Sequence, residues 1–382
     1  MVVGLLGYGT VGKGVYDILQ EKPDFQVKYV LDLRDLPELG DKLVQDISII
    51  LNDEEIDTVI ELIGGMHPAY EFVKASLEAG KNVVSANKLM ISLYYKELVS
   101  LAKEKGVSFR FSAAAGGGIP WLVNLQRAHR VSRIEHVYGI MNGTTNFILD
   151  AMETRGEEFA PALSEAQRLG FAEADPSSDI DGLDTRHKTT LSANIAFGVS
   201  LDDEKVDSFG IRTVQKCDID TARENGLVLK LLGNAFRVEG GKVAAFVEPT
   251  MVSQNTPEGN IHGCDNIIAF DGSHIGKTHF IGAGAGRYPT GYAVAQDLVD
   301  QSLELGGRYN EVMEEMDIAN DALFHSYYIR TTFTSDPFYA SLKKESFGSG
   351  VVAENVSVRD MHDFAKRALS QGEEIFFAGI SK

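Results

Sequence analysis

The sequence predicts an α/β chain: a doubly wound parallel sheet first, an α+β domain after it, and a short α+β module at the end. Three observations carry that prediction. The apolar run of residues 2–6 leads directly into Gly7-Tyr8-Gly9-Thr10-Val11-Gly12. Short apolar strands then alternate with helix-length segments as far as residue 111, the spacing of right-handed βαβ units. Residues 326–381 read as strand, helix, strand, helix, strand.

After the first glycine turn, apolar residues at 11, 15, 18 and 19 repeat with a helical period. In such a strand–turn–helix, Gly7 permits the tight turn and Gly9 admits a pyrophosphate to the backbone N–H groups. Gly12 lets helix and strand pack closely, and the helix N-terminus adds positive potential for the phosphates. Residues 27–31 make the second strand. Asp32 closes it, where an acid holds the ribose 2′-OH of NAD; Arg34, two residues on, is placed to grip the 2′-phosphate of NADP. A solvated loop fits the same residues, and the sequence leaves NAD and NADP both open. Residues 58–63 form a third strand ending at Gly64-Gly65, and residues 69–79 a helix stopped by Gly80. Residues 82–85 and 107–111 complete the strands, with a helix over 93–105 between them. Ligands of such a Rossmann sheet bind beyond the carboxyl ends of its strands, here residues 7–12, 32–34, 64–65 and 86–88.

The length of 382 residues suits two or three domains. These are expected at 1–118, with a returning helix near 287–318, at 119–286, and at 322–382. Hydrophobic residues at 44 % and charged residues at 24 % exclude general disorder. No apolar run approaches the ~20 residues that cross a bilayer, so no membrane partner is expected. The opening MVVGLLGYG has no basic n-region, and a secretory signal is not expected. Two cysteines, Cys217 and Cys264, make no disulfide framework, which points to the reducing cytoplasm. A net charge of −19 argues against nucleic acid as a partner.

Several segments carry candidate chemistry. Lys88, in Ala86-Asn87-Lys88, follows the fourth strand and is expected to point into the cofactor crevice; a plain surface lysine is the alternative. Residues 113–120 (AAAGGGIP) suit a hinge or a set of carbonyl ligands for a hard cation. Gly143-Thr144-Thr145-Asn146 lies between a strand at 137–141 and a helix beginning near Asn146, and its composition reads as a cap. Within residues 170–188, a calcium loop fails because Ser177 and Lys188 would occupy its first and twelfth positions. Asp184 and Lys188 could be an ordinary surface i,i+4 pair. However, residues 189–200 (TTLSANIAFGVS) carry no charge, so the helix is buried nearly all round and its charges need partners or a task. Glu173, Asp179 and Asp184 are candidates for a substrate ammonium, and Lys88 and Lys188 for the proton donor of a carbonyl reduction. His187 and His262 lack ligand spacing. A second glycine turn, with Gly284 and Gly286, precedes another helix and fits either a domain crossover or an approach to the cofactor.

GLLGYGTVGKGV, Gly64-Gly65, SANK, AAAGGGIP, GIMNGTTNFIL, AQRLGFAEADPSSDIDGLDTRHK and GAGAGRYPT stand in the order found in homoserine dehydrogenases, which the chain resembles over roughly residues 2–310. The resemblance implies NAD(P)-dependent interconversion of L-aspartate 4-semialdehyde and L-homoserine, on the route to threonine, methionine and isoleucine. It implies that Lys188 is the acid/base residue and that Lys88 aids catalysis at the cofactor. Glu173, Asp184 and Thr144 would hold homoserine, with Gly143 and Asp179 beside them. Tyr8, Thr10 and Val11 would contact the dinucleotide, with Gly284 or Gly286 near.

Two departures from the family stand out. Where members carry a glutamate that helps ligate a monovalent cation, often sodium, this chain has Ser112; backbone oxygens of Ala115, Gly117 and Ile119 are the remaining ligands. The tail reads one strand short of the ACT domain found in many bacterial members, and is expected as a reduced ACT-like module. A homodimer or homotetramer is expected. The competing functions are a related amino-acid dehydrogenase and a non-catalytic NAD(P)-sensing regulator.

Overall fold

The computed structural model describes residues 1–305 and 314–381. The chain begins with β1 (Val2–Leu6), α1 (Thr10–Gln20), β2 (Gln26–Leu31), β3 (Leu43–Val44), α2 (Ile47–Leu51), β4 (Thr58–Glu61), α3 (Ala69–Glu78), β5 (Asn82–Ser85), α4 (Lys88–Lys105), β6 (Phe109–Arg110) and α5 (Trp121–His129). Next come β7 (Ile134–Ile140), α6 (Gly143–Arg155), α7 (Phe159–Arg168), α8 (Ser177–Ile180), α9 (Leu183–Phe197), β8 (Val199–Ser200), β9 (Asp207–Ser208), α10 (Lys216–Glu224), β10 (Leu227–Arg237), β11 (Val243–Ser253), β12 (Asp265–Gly272) and β13 (Gly276–Ala283). The remaining elements are α11 (Arg287–Ser302), β14 (Glu314–Glu315), β15 (Phe324–Thr331), α12 (Pro337–Ser341), β16 (Lys344–Phe347), β17 (Gly350–Ser357), α13 (Val358–Ser370) and β18 (Ile375–Ile380). They form two compact units. One contains Met1–Val131, Asn194–Ser200 and Gly282–Glu315; the other contains Ser132–Ala193, Leu201–Ile281 and Met316–Lys382.

The first unit is built on a parallel sheet of order β3-β2-β1-β4-β5-β6. This is the doubly wound order, with its switch point between β1 and β4. Val3, Leu5, Val30, Ile60 and Val84 of the strands pack with Val15 and Leu19 of α1 and with Val294 and Leu298 of α11. A Cβ at Gly14 would overlap the Arg287 carbonyl, so only glycine allows α1 and α11 to close on each other. The returning helix, expected over 287–318, ends at Ser302, and residues 306–313 of that expectation lie outside the described residues. The third strand stops at Glu61 and not at residue 63. The reason is the Glu61 carboxylate, which accepts the N–H groups of Ile63 (2.9 Å) and Gly64 (3.4 Å) and bends the chain into a turn.

The second unit holds a mixed sheet of order β13-β12-β7-β10-β11-β18-β15-β17-β16, with β9 beside β11. α6 begins at Gly143, earlier than the start expected near Asn146, because the Asn142 side chain caps it by accepting the Thr145 N–H at 2.8 Å. The last four strands run in the βαββαβ order of a ferredoxin-like unit. The strand missing from the sequence reading is β16. Its residues, KESF, carry little apolar signal because β16 is a half-exposed edge strand, joined to β17 by the two-residue turn Gly348-Ser349. The sheet does not break at the boundary expected near 322. β18 pairs in parallel with β11, and buried carboxylates of the earlier strands and α10 reach side chains of the tail: Asp207 to Lys366, Glu248 to His362, and Asp218 to Arg330.

Among the described residues, two buried acids of the first unit, Glu61 and Asp297, have no cation at hydrogen-bond distance. Asp297 of α11 is 1 % exposed, and burial pushes its carboxyl up to about 6, although it accepts the Ser112 N–H at 2.9 Å. Its folded pKa therefore lies above the unfolded one, and the cost of ionising it is absent in acid and complete above pH 6. We expect Asp297→Asn to raise stability by up to about 3 kcal/mol at pH 8, a gain that shrinks toward pH 5. Urea denaturation at the two pH values checks it; equal effects at both would rule out the charge as the cause.

Candidate active site

At the carboxyl end of β1 the chain turns through Gly7, whose φ of +91° belongs to the left-handed region. A Cβ there would stand 2.8 Å from the Leu62 carbonyl oxygen, and one at Gly12 would overlap the Gly7 carbonyl. Gly9, the N-cap of α1, has open space where a Cβ would be. A cavity of about 410 Å³ opens at this cradle, lined among others by Gly7, Gly9, Asp32, Arg34, Ile63 and Phe72. Its glycines and free helix terminus fit a dinucleotide phosphate. Tyr8 is buried, edge-on to Tyr16, and Thr10 and Val11 form the first turn of α1.

Asp32 is turned inward. Its carboxylate accepts the backbone N–H of Tyr8 (2.9 Å) and of Arg34 (3.1 Å), then Nε (2.9 Å) and Nη2 (2.7 Å) of Arg34. Hydrogen bonds from the Arg34 side chain, with the backbone donors, hold this carboxyl well below the usual range despite burial. The Arg34 side chain itself is 56 % exposed. Across the switch point, Gly64 adopts a φ of +80°. Ser85 donates to Glu61 at 2.6 Å, and Asn87 donates to the Gly65 carbonyl at 2.7 Å while capping α4 through Met90 N–H. Lys88, half-buried, is the first residue of that helix. Gly284 packs against Gly117 and Gly286 caps α11; neither lines the cavity.

The loop offered to a cation is differently placed from what a charged ligand set requires. The Ile119 carbonyl already accepts the Trp121 N–H at 2.7 Å, Gly117 is packed on the Gly284 carbonyl, and the Ser112 hydroxyl is turned toward the Ala293 carbonyl. Ala115 is fully buried beside them. Among the described residues, no group of three or more His, Cys, Asp or Glu side chains is arranged to hold a metal.

α9 begins in the second unit and is buried along most of its length. Lys188, 7 % exposed, donates to the Met141 carbonyl and to Asp184 Oδ2, each at 2.7 Å. Asp184, 4 % exposed, also accepts from Asn142 Nδ2 at 2.9 Å, and the same amide nitrogen donates to Asp179 at 2.7 Å. One asparagine therefore bridges two carboxylates, caps α6 and abuts Gly143. Thr144 donates its hydroxyl to the Phe171 carbonyl at 2.6 Å. Gly143 and Thr144 are the first two helical residues, whose N–H groups have no intrahelical acceptor. Glu173 lies on an exposed segment, outside this hydrogen-bonded group. His187 is bonded to Asp203 at 2.9 Å and His262 to Asp150 at 2.7 Å, both away from the cluster.

Sequence reasoning missed Asn142 and Glu61. The signal for Asn142 was present, an Asn directly before a helix, but the helix start was placed at Asn146.

Known proteins similar to this chain fall in one family. Residues 7–112 match the family model described as homoserine dehydrogenase, NAD binding domain, and residues 120–299 the one described as homoserine dehydrogenase. A homoserine dehydrogenase of Pseudomonas aeruginosa is 38 % identical over 310 residues, 78 % of this chain and 71 % of that protein. The crystal structure of a homoserine dehydrogenase from Thiobacillus denitrificans superposes with a TM-score of 0.88 at 32 % identity, over 100 % of this chain and 98 % of the other. A hyperthermophilic archaeal homoserine dehydrogenase mutant, solved in complex with NADPH, superposes with a TM-score of 0.69 at 25 % identity, over 80 % of this chain and 98 % of the other. The chain belongs to the homoserine dehydrogenase family, NAD(P)-dependent oxidoreductases that interconvert L-aspartate 4-semialdehyde and L-homoserine.

Proposed function

We propose that Lys188 is the proton donor for aldehyde reduction and that NADP is the preferred cofactor. The buried Lys188–Asp184 pair carries the first reading. Bound NADPH supplies the hydride to the aldehyde carbon. The Lys188 ammonium then gives its proton to the developing alkoxide, and in the reverse direction the neutral amine takes it back. Asp184 and the Met141 carbonyl hold Nζ in one position, so the donor is oriented before substrate arrives. Asp179, Asp184 and Glu173 receive the substrate ammonium, and the N–H groups of Gly143 and Thr144 its carboxylate. Lys88, opening α4 beside the Asn87–Gly65 contact, assists at the cofactor. Gly64 and the Gly7–Gly12 turn hold the pyrophosphate, and Gly284 and Gly286 support the Gly117 side of the fold.

The cofactor preference follows from counting lone pairs. An ionised carboxylate offers about four acceptor sites, and Asp32 fills them with Tyr8 N–H and three donors of Arg34. It has no capacity left for a ribose hydroxyl. Arg34 spends two side-chain donors on Asp32 and keeps three, which suits a 2′-phosphate; the archaeal relative solved with NADPH is consistent with that. The oxygen ligands near Ala115, Gly117 and Ile119 are neutral and partly engaged, which is a poor fit to a sodium ion. Exposed Ile275, Ile281 and Phe324 support a homodimer or homotetramer, and two free cysteines suit the cytoplasm.

Lys188→Ala should lower kcat by about 100-fold or more while NADPH affinity, read by fluorescence titration, stays within about twofold of wild type. Undiminished turnover would remove Lys188 from the proton transfer. Arg34→Ala should raise the KM for NADPH by about tenfold or more and that for NADH much less. An equal rise for both would overturn the NADP assignment.

A further inference from the structure

Lys230 is a lysine with no exposed surface. It stands on β10 between Val228 and Leu232, which share an apolar cluster with Ile140, Val252, Ile261 and Ile267. A leucine or methionine would extend that cluster at no desolvation cost, so the reason for a lysine lies in what its Nζ reaches. It donates to the Ile261 carbonyl at 2.6 Å and to Asn146 Oδ1 at 3.2 Å. Asn146 Nδ2 faces the carbonyls of Gly263 (3.0 Å), Asp265 (3.2 Å) and Ile261 (3.5 Å). One turn along α6, Asp150 binds His262 Nδ1 at 2.7 Å and the Gly263 N–H at 3.0 Å. Residues 261–265 are thus clamped onto α6. At the other end of the clamp the Cys264 carbonyl oxygen stands 2.5 Å from where a Cβ of Gly143 would be, directly against the first residue of the helix.

We propose that Lys230 is a positioning residue for substrate: through Asn146 and residues 261–265 it fixes the Gly143–Thr144 turn without touching the substrate. This rests on the assignment of that turn to homoserine. The ammonium lacks a hydrogen-bonded carboxylate among the described residues. Burial holds its pKa below the ordinary lysine value, with Glu153 and Asp150 pulling the other way. Its partners are a carbonyl and an amide, groups chosen for direction more than for charge neutralisation.

Steady-state kinetics of the full chain with L-homoserine and NADP test this. Lys230→Met should raise the KM for homoserine about tenfold or more while kcat and the KM for NADP change less than about threefold, the pattern of lost substrate positioning. Asn146→Leu should do the same, and the double variant should be no worse than either single one. A merely structural role would instead depress all three kinetic constants together with thermal stability, and that result, or an unchanged homoserine KM, overturns the proposal. Should Lys230→Met fail to fold, Asp150→Ala, on the half-exposed side of the clamp, should raise the homoserine KM by a smaller factor; no rise there also overturns it. Thr144→Pro, which removes one of the two N–H groups in a first helical turn that tolerates proline, separates the two assignments. If it raises the homoserine KM and Lys230→Met does not, the clamp alone fails; if it has no effect, the turn is not a substrate contact and both fail.

Discussion

A lysine ammonium taken out of water must be given oxygen atoms in fixed directions, and the second unit is arranged around meeting that demand for Lys188. The Met141 carbonyl is available because β7 ends at Ile140 and leaves the next residue outside the ladder. The Asp184 carboxylate is one helical turn back on α9, and its second donor is Asn142. Asn142 in turn fixes the start of α6. Lys188, its carboxylate partner and the helix terminus are therefore members of one network. Moving any of them leaves another buried group without its partner, at a cost of about 1–3 kcal/mol.

The first unit solves a related problem with the opposite charge. Asp32 and Glu61 lie at the carboxyl ends of β2 and β4, the two strands that flank β1, where the backbone turns away and exposes N–H groups. Each carboxylate collects them: Tyr8 and Arg34 for Asp32, Ile63 and Gly64 for Glu61. Glu61 is almost wholly buried, and burial raises its carboxyl above the ordinary value even with Ser85 hydrogen-bonded to it. Both acids thus tie down turns at the end of the sheet where the cavity lined by Gly7 and Gly9 opens.

What the sequence made legible was whatever has a local signature. The turn at residues 7–12, the parallel alternation and the uncharged stretch after Lys188 are all readable within a dozen residues, and they placed the first sheet and the buried helix. The contacts that finish the site join residues distant in sequence: Lys230 to Ile261, Asn142 to Asp184, Glu61 to Ser85. No periodicity reports such pairs. Asp32 shows a second limit, since its position fits a ribose contact but its carboxylate faces Tyr8 and Arg34, a matter of side-chain direction. β16 was missed because an edge strand with polar residues has no alternation to detect.

The tail illustrates how burial turns an appended motif into part of a core. β11 and β18 share only two register positions, Thr250 with Gly379 and Met251 with Ile380, too few to hold four strands in place. The attachment comes from elsewhere. Tyr327, Tyr328, Phe364, Phe376 and Phe377 of the tail share one apolar cluster with Leu229, Leu231, Val247 and Met251. On α13, Arg359, His362 and Lys366 fall at i, i+3 and i+7, one face of the helix, and meet Asp207 and Glu248, which are 3 % and 1 % exposed. Without those side chains Asp207 would keep Asn320 and Glu248 would keep Tyr327 as hydrogen-bond donors, and each carboxylate would lose part of what offsets its burial. Apolar contact could have been satisfied in several registers; the paired charges allow one. The tail is thus held by area and oriented by charge, and a ferredoxin-like motif fixed in this way behaves as the last part of the unit's own sheet.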